Sequence, residues 1–110
     1  MKDSDDQQLS GLVYVHVRVV EGEVVVSACD AELLGRVLIN KEGGMKYSVD
    51  PFFYKGELKT VEEALMLLSN ATTGNLVGSR IVKAAVERGL IHPEAVLVID
   101  GVPIAFFTVI

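Results

Sequence analysis

The chain has 110 residues, half of them hydrophobic, and a formal net charge of −5 at pH 7. That length is typical of one domain with one hydrophobic core. The abundance of valine favours a sheet over an all-helical bundle. The acidic balance excludes a broad basic surface for DNA or anionic lipid and leaves room only for a local basic patch.

Cysteine usage and the first residues of the chain bear on its compartment. Cys29 is the only cysteine, so no internal disulfide can form, which favours a reducing cytoplasm. Residues 1–10 are polar and acidic, and no later run is apolar and long enough to span a membrane. We therefore expect a cytoplasmic protein in which residues 1–10 form a disordered acidic N-terminus and residues 11–110 form a single α+β domain.

A β-hairpin is the first predicted element. Valines alternate with other residues from Val13 to Val20, which is the period of a strand with one buried face. A two-residue turn at Glu21-Gly22 would fix the register of the hairpin. On one face, that register pairs Val19 with Val24, Val17 with Val26 and Val15 with Ala28.

Short elements are predicted after the hairpin. Asp30 suits the N-cap of a short helix over residues 31–37. Residues 45–49 follow as an extended piece, and Asp50-Pro51 should interrupt any regular structure. The aromatic segment at residues 52–56 then covers part of the core.

Two longer helices are predicted in the second half of the chain. Thr60 and Glu63 have the spacing of a capping box, which opens a helix that reaches about Asn70. A second helix is predicted from about Leu76 to Arg88, with Gly89 as its left-handed C-cap.

The end of the chain predicts a second hairpin. Residues 95–99 lead into the turn pair Asp100-Gly101, and a last strand covers residues 102–110. Pro103 lacks an amide donor, so it must lie at an edge, a bulge or a strand start. This order of elements predicts an α+β fold, with an antiparallel or mixed sheet that has N-terminal and C-terminal hairpins and helices packed on one face.

Five short motifs stand out along the chain: the Val-rich hairpin, Cys-Asp-x-Glu-Leu-Leu-Gly at 29–35, Phe-Tyr-x-Gly at 53–56, Asn-Leu-Val-Gly at 75–78 and Gly-Val-Pro at 101–103. Over about Leu12 to Ala105 they resemble an archaeal family catalogued as domain of unknown function 424. The resemblance implies an archaeal cytoplasmic protein, and an association with translation would fit it. It implies no reaction. The family often has His after Gly-x-Pro, where this chain has Ile104.

Cys29 and His16 are the candidate catalytic residues. The predicted register places Tyr14 opposite Cys29 and His16 opposite Ser27, so thiol and imidazole are diagonal neighbours. An imidazole beside a thiol at a helix start can activate a cysteine nucleophile. Asp30 opposes this, because its negative charge raises the pKa of the thiol. The alternative is that Cys29 is a small packing residue and His16 a partly exposed strand residue.

A binding surface is the second functional hypothesis. Gly74 to Gly78 precede a predicted helix and can offer backbone amides to a phosphate, with Arg80 adding charge. The alternative is a helix-to-helix turn in which Asn75 caps and Gly78 allows close packing. A non-catalytic module would use this turn together with the loop at residues 53–57. The binding residues of such a module would be Asn75, Gly78, Arg80, Tyr54 and Gly56.

No spacing of His, Cys, Asp or Glu matches a metal or cofactor site, so we expect neither. The lysines and arginines are spread along the chain, as on an ordinary mixed surface. The partner we expect is therefore a protein, the ribosome or RNA, bound by local contact. The strand at residues 104–110 is apolar on both faces, so it must either be central in the sheet and covered or lie against another subunit. The sequence therefore predicts either a monomer with a covered central strand or a homodimer. The sequence favours a non-catalytic binding or assembly module, with a small Cys29 enzyme assisted by His16 as the alternative.

Overall fold

The computed structural model describes residues 10–109, so most of the predicted disordered N-terminus and the final Ile110 lie outside the described residues. The strands are β1 (Leu12–Val20), β2 (Glu23–Asp30), β3 (Val37–Ile39), β4 (Lys46–Ser48), β5 (Glu57–Thr60), β6 (Thr73–Val77), β7 (Leu97–Ile99) and β8 (Val102–Thr108). The α-helices are α1 (Pro51–Tyr54), α2 (Val61–Ser69) and α3 (Ser79–Glu87), and single 3-10 turns cover Ala31–Leu33 and Pro93–Ala95. None of the helices between residues 10 and 109 has the length and apolar character needed to cross a membrane.

Six strands form one mixed sheet in the order β5-β1-β2-β6-β8-β7. β2 and β6 run parallel, and the other neighbouring pairs are antiparallel. β3 and β4 form a separate antiparallel pair. The predicted α+β fold with a mixed sheet and a hairpin near each end is confirmed. β8 is an interior strand, and Pro103 lies near its start, opposite Val98.

Both hairpins have the predicted turns. Glu21 and Gly22 have φ values of 51° and 84°, and Asp100 and Gly101 have 56° and 77°. Two successive positive φ values define the type I′ turn, whose twist matches that of the paired strands. The first hairpin consequently has the predicted register, which pairs Val19 with Val24, Val17 with Val26 and Val15 with Ala28.

The two longer helices, α2 and α3, pack on one face of the sheet. Leu65 and Leu68 of α2 and Ile81 of α3 are buried against sheet residues such as Val26 and Leu76. The capping box at the start of α2 is present, and a Schellman pattern of backbone hydrogen bonds with Gly89 in a left-handed conformation ends α3. These helix-end predictions are confirmed.

The other face of the sheet is covered by residues 31–56, which we call the cover segment. Leu38, Val49 and Tyr54 of this segment are buried against Cys29 and Val77 of the sheet. The short helix α1 belongs to the cover segment, so it lies on the opposite face from α2 and α3. The sheet therefore has a core on each side.

Two predictions within the cover segment are wrong. The helix predicted over residues 31–37 is a single 3-10 turn, because Gly35 takes a left-handed conformation with φ of 85° and its amide donates to the Val49 carbonyl at 2.8 Å. Asp50-Pro51 does not interrupt regular structure. It begins α1, with the Asp50 side chain accepting from the Phe52 amide at 3.0 Å and proline in the first turn.

The start of α3 was also predicted wrongly. Residues 73–77 are the strand β6, and the helix begins at Ser79. β6 pairs with β2 on one side and β8 on the other, so its backbone groups find partners in both neighbours. Gly78, with φ of 120°, makes the change from strand to helix.

Candidate functional site

A cleft of about 350 Å³ lies between the six-stranded sheet and the cover segment. The sheet contributes Ser27 from β2 and Asn75 from β6. The cover segment contributes hydroxyl, carboxyl and aromatic side chains, from Tyr47, Ser48, Asp50, Phe53 and Tyr54. The cleft therefore combines hydrogen-bonding groups with aromatic surface, and it is large enough for a small organic group.

The floor of the cleft belongs to a row of residues that crosses four strands. His16, Ser27, Asn75 and Phe106 are successive cross-strand neighbours in β1, β2, β6 and β8. The Asn75 side-chain amide donates to the Ser27 hydroxyl at 3.2 Å. Within residues 10–109, the carbonyl oxygen of that amide accepts no hydrogen bond. The floor thus offers a free acceptor and a hydroxyl group.

Aromatic side chains form the wall and rim of the cleft. Tyr54 is only 2% exposed, and its hydroxyl is hydrogen-bonded to that of Tyr47. Burial, followed by this hydrogen bond, raises the pKa of Tyr54 far above its ordinary value, so it stays a neutral phenol. Phe53 is 44% exposed, and the Arg18 guanidinium lies 5.6 Å from the centroid of its ring. The wall therefore ends in an aromatic ring that faces solvent.

The cover segment is locally basic in an acidic chain. Its acids are Glu32, Glu42 and Asp50, and Glu32 is bound to Arg80. Four cations of the segment form no ion pair within residues 10–109: Arg36, Lys41, Lys46 and Lys55. Two of these cations adjoin residues of the cleft in sequence, Lys46 beside Tyr47 and Lys55 beside Tyr54.

The N-terminus of α3 is occupied by the protein itself. The Asp30 carboxylate accepts from the Arg80 amide at 2.9 Å and from the Ile81 amide at 3.1 Å. A Cβ atom on Gly78 would collide with that carboxylate. The prediction of a phosphate site at residues 74–78 is therefore wrong, because Asp30 already supplies the anion. The predicted cap at Asn75 is also wrong, since Asn75 lies within β6.

Arg80 is committed to contacts within the chain. Its guanidinium donates to both Glu32 carboxylate oxygens, at 2.9 and 2.7 Å, and to the Leu12 carbonyl at 2.8 Å. The hydrogen bonds from Arg80 lower the pKa of Glu32. Arg80 and Gly78 therefore have structural explanations, and their predicted binding roles stay predictions.

Cys29 and His16 have the predicted register but lack the features of an activated thiol. Cys29 lies opposite Tyr14 and is fully buried. Burial, with smaller contributions from the charges of Asp30 and Glu32, raises the pKa of the thiol to about 12. An activated nucleophile needs the opposite shift. The geometry thus disfavours a catalytic Cys29, and the catalytic roles of both residues stay predictions.

Gly56 lies apart from the cleft. It lines a second cavity of about 330 Å³, beside Val15, His16 and Glu57. A Cβ atom on Gly56 would collide with the Val15 carbonyl of β1. Glycine at this position therefore lets the start of β5 approach β1 closely.

Of the five predicted binding residues, the structure brings Asn75 and Tyr54 together in one cleft. The cleft also contains residues that the sequence did not indicate as binding candidates: Ser27, Tyr47, Ser48 and Asp50. Phe53 belongs to the predicted binding loop at residues 53–57, and Arg18 contacts its ring from outside the cleft lining. The register of the first hairpin already placed Ser27 opposite His16, so Ser27 could have been found. The contact with Asn75 required knowledge that residues 73–77 form a strand.

Among residues 10–109, no three His, Cys, Asp or Glu side chains lie close enough to hold a metal ion. The absence of metals and cofactors from the function stays a prediction. The cleft itself offers amide, hydroxyl, phenol and carboxyl oxygens, and hydrogen bonding to an uncharged ligand is what this set suits best.

Comparison with known proteins places the chain in a family. No curated protein matches it. The fold is similar to that of an uncharacterized conserved protein from Methanopyrus kandleri, with a TM-score of 0.73 and 21% sequence identity over 90% of this chain and 92% of that one. The family model described as protein of unknown function (DUF424) matches residues 18–110. The chain therefore belongs to the DUF424 family, as its motifs had suggested.

Proposed function

We propose that this protein is a non-catalytic binding module of the cytoplasm and that the cleft beneath the cover segment is its binding site. The observation that carries the proposal is the meeting of Asn75 and Tyr54, predicted as binding residues from distant parts of the sequence, in one cleft. Phe53 is exposed at the rim, and the Asn75 carbonyl oxygen has no hydrogen-bond partner within residues 10–109, so a ligand would find both apolar and hydrogen-bonding contacts.

A binding role is favoured over catalysis by the state of the candidate nucleophile. Cys29 is buried and its thiol has a pKa of about 12, so almost none of it is thiolate at neutral pH. The Tyr54 phenol stays neutral as well. The groups in the cleft are suited to holding a ligand by hydrogen bonds and contact area.

The partner we propose is a component of the translation machinery. The four cations of the cover segment that form no ion pair within residues 10–109 support a partner that carries negative charge, such as RNA or an RNA-bound assembly. The family resemblance favours the same context. A homodimer is compatible with this role, because β1 and β7 leave valine and leucine side chains exposed near the sheet edges.

Affinity capture from the native cells tests the proposal. The tagged protein should retain ribosomal or translation components, and Asn75→Ala should lose them because it removes the amide from the cleft floor. Asn70→Ala is the matched control, since Asn70 is an exposed asparagine at the end of α2. Equal capture by the two variants, with equal thermal stability, would exclude the cleft as the binding site.

A further inference from the structure

The cleft has the chemical features of a site for one flat, uncharged, hydrogen-bonding group. Its floor carries the side-chain amide of Asn75 and the hydroxyl of Ser27 beside it. The carbonyl oxygen of that amide accepts no hydrogen bond from residues 10–109. An amide side chain offers a donor and an acceptor side by side, which matches the edge of a nucleobase.

The walls supply the second requirement of base recognition, which is aromatic surface. Phe53 is the exposed ring at the rim, and Tyr47 lines the cleft beside it. The Tyr47 ring packs edge-on against Phe106 with centroids 6.4 Å apart, which holds it in place. Unpaired bases bind proteins by stacking on such rings while their edges form hydrogen bonds.

The third requirement is positive charge beside the opening, for the phosphates that accompany a base. Arg18 lies over the Phe53 ring, and its Nε atom is buried without a hydrogen-bond partner in residues 10–109. Lys46 and Lys55 adjoin the cleft residues Tyr47 and Tyr54, and neither lysine has an ion-pair partner in that part of the chain. The Arg18 guanidinium at the rim and the cations of the cover segment suit a short stretch of backbone, where a duplex would need a broad basic surface.

We propose that this cleft binds a single unpaired nucleobase of a nucleic acid strand, with Asn75 and Ser27 reading its edge, Phe53 stacking on it and Arg18 meeting an adjoining phosphate. The inference rests on the proposed function and deepens it, because it assigns the chemistry of the ligand. RNA, single-stranded DNA and free nucleotides all carry this group, and they differ in sugar and in the number of phosphates.

Direct titration of the purified full chain tests the inference. The probes are fluorescent single strands of about ten nucleotides, each of one base, as RNA and as DNA, together with a matched RNA duplex and the four mononucleotides. We expect at least one single strand to bind and the duplex to bind much more weakly. A preference for RNA, for DNA or for a mononucleotide identifies the source of the base.

Matched variants make the test specific to the cleft. Asn75→Ala and Phe53→Ala should each weaken binding of that strand by about tenfold, which is typical of losing a base contact. Asn70→Ala should leave it unchanged, since Asn70 does not line the cleft. Phe52→Ala should weaken it less than Phe53→Ala does, because the Phe52 ring lies outside the cleft and packs edge-on against Phe53, with centroids 5.2 Å apart. Phe52 is the neighbouring exposed phenylalanine, so it controls for loss of a surface ring. Melting curves of all four variants verify that they are folded.

Three results would overturn the inference: no binding of any strand or nucleotide, equal binding of strand and duplex, or equal affinities of the cleft variants and their controls. These results are separable from failure of the proposed function. A protein partner that is captured from cells and lost in Asn75→Ala would leave the binding module standing while the nucleobase inference falls.

Discussion

Asp30 joins the sheet to α3 and decides what the start of that helix can bind. It is 2% exposed at the end of β2, and its carboxylate accepts hydrogen bonds from two amides of α3. Burial raises the pKa of Asp30, and the two amides oppose that rise. Because the carboxylate fills this position, the start of α3 is closed to another anion, and the cleft that we propose as the binding site lies on the opposite face of the sheet.

Replacement of Asp30 by alanine should be costly. Asp30→Ala leaves two helix amides without their acceptor, and we expect a loss of about 1–3 kcal/mol in the free energy of unfolding. Glu32→Gln removes only the exposed ion pair with Arg80, for which we expect at most about 1 kcal/mol. Urea denaturation measures both values. Equal losses would mean that the carboxylate is not a structural cap.

The Cys29 thiol gives a second prediction at the scale of the residue. In the folded chain the thiol should react with a maleimide at neutral pH only as fast as the chain unfolds, because it is buried with a pKa of about 12. The folded pKa is above the ordinary value of 9.0, so the folded state holds the proton more tightly. The free energy of unfolding should therefore fall as pH rises from about 9 towards 12, and Cys29→Ala should make this slope shallower. Part of the slope should remain above pH 10.0, because the pKa of Tyr54 is raised as well. Rapid labelling of the folded chain at pH 7 would restore the catalytic hypothesis.

At the scale of elements, local signals account for what was predictable from the sequence. The two turn pairs specify their hairpins, and the capping box specifies α2, because each acts over a few residues. β6 was missed because it is five residues long, contains a glycine and pairs in parallel with β2, which is distant in sequence. The cleft was consequently not predictable as a cleft, although Asn75 and Tyr54 were singled out.

The junction of β5 with β1 depends on Gly56. Gly56→Ala would push a methyl group into the Val15 carbonyl, so we expect a loss of about 1–3 kcal/mol in the free energy of unfolding. Gly43→Ala is the control, because a methyl group there meets no atom within 4 Å. Thermal and urea unfolding compare the two variants. If Gly56→Ala is as stable as the control, β5 can move away from β1 without loss of stability. The close approach of these strands would then not explain the glycine.

The whole molecule is a sheet with a core on each face, and the two faces differ in what covers them. α2 and α3 cover one face, whereas the other is covered by single turns, the four-residue helix α1 and a two-stranded sheet. Small two-stranded sheets have little stability of their own. The cover segment, which forms one side of the cleft, is therefore expected to be the less stable layer.

Hydrogen exchange should reveal this difference across the molecule. The amides of β2 and β6 should exchange slowest, because both strands are paired on both sides and lie between the two cores. The amides of β3 and β4 should exchange faster than those of any strand inside the six-stranded sheet. Uniform protection of all eight strands would contradict a separately opening cover segment.

The most direct measurement for a binding function of the cleft is partner retention by Phe53→Ala and Phe52→Ala, purified in parallel from the native cells. The two changes remove the same ring from adjacent exposed positions, and only Phe53 lines the cleft. The Phe52 ring packs edge-on against Phe53, so its removal should affect the cleft only indirectly. We predict that Phe53→Ala loses the translation partner while Phe52→Ala keeps it, with both variants folded. Full retention by Phe53→Ala, or a loss from Phe52→Ala as large as that from Phe53→Ala, would contradict the assignment of the cleft as the binding site.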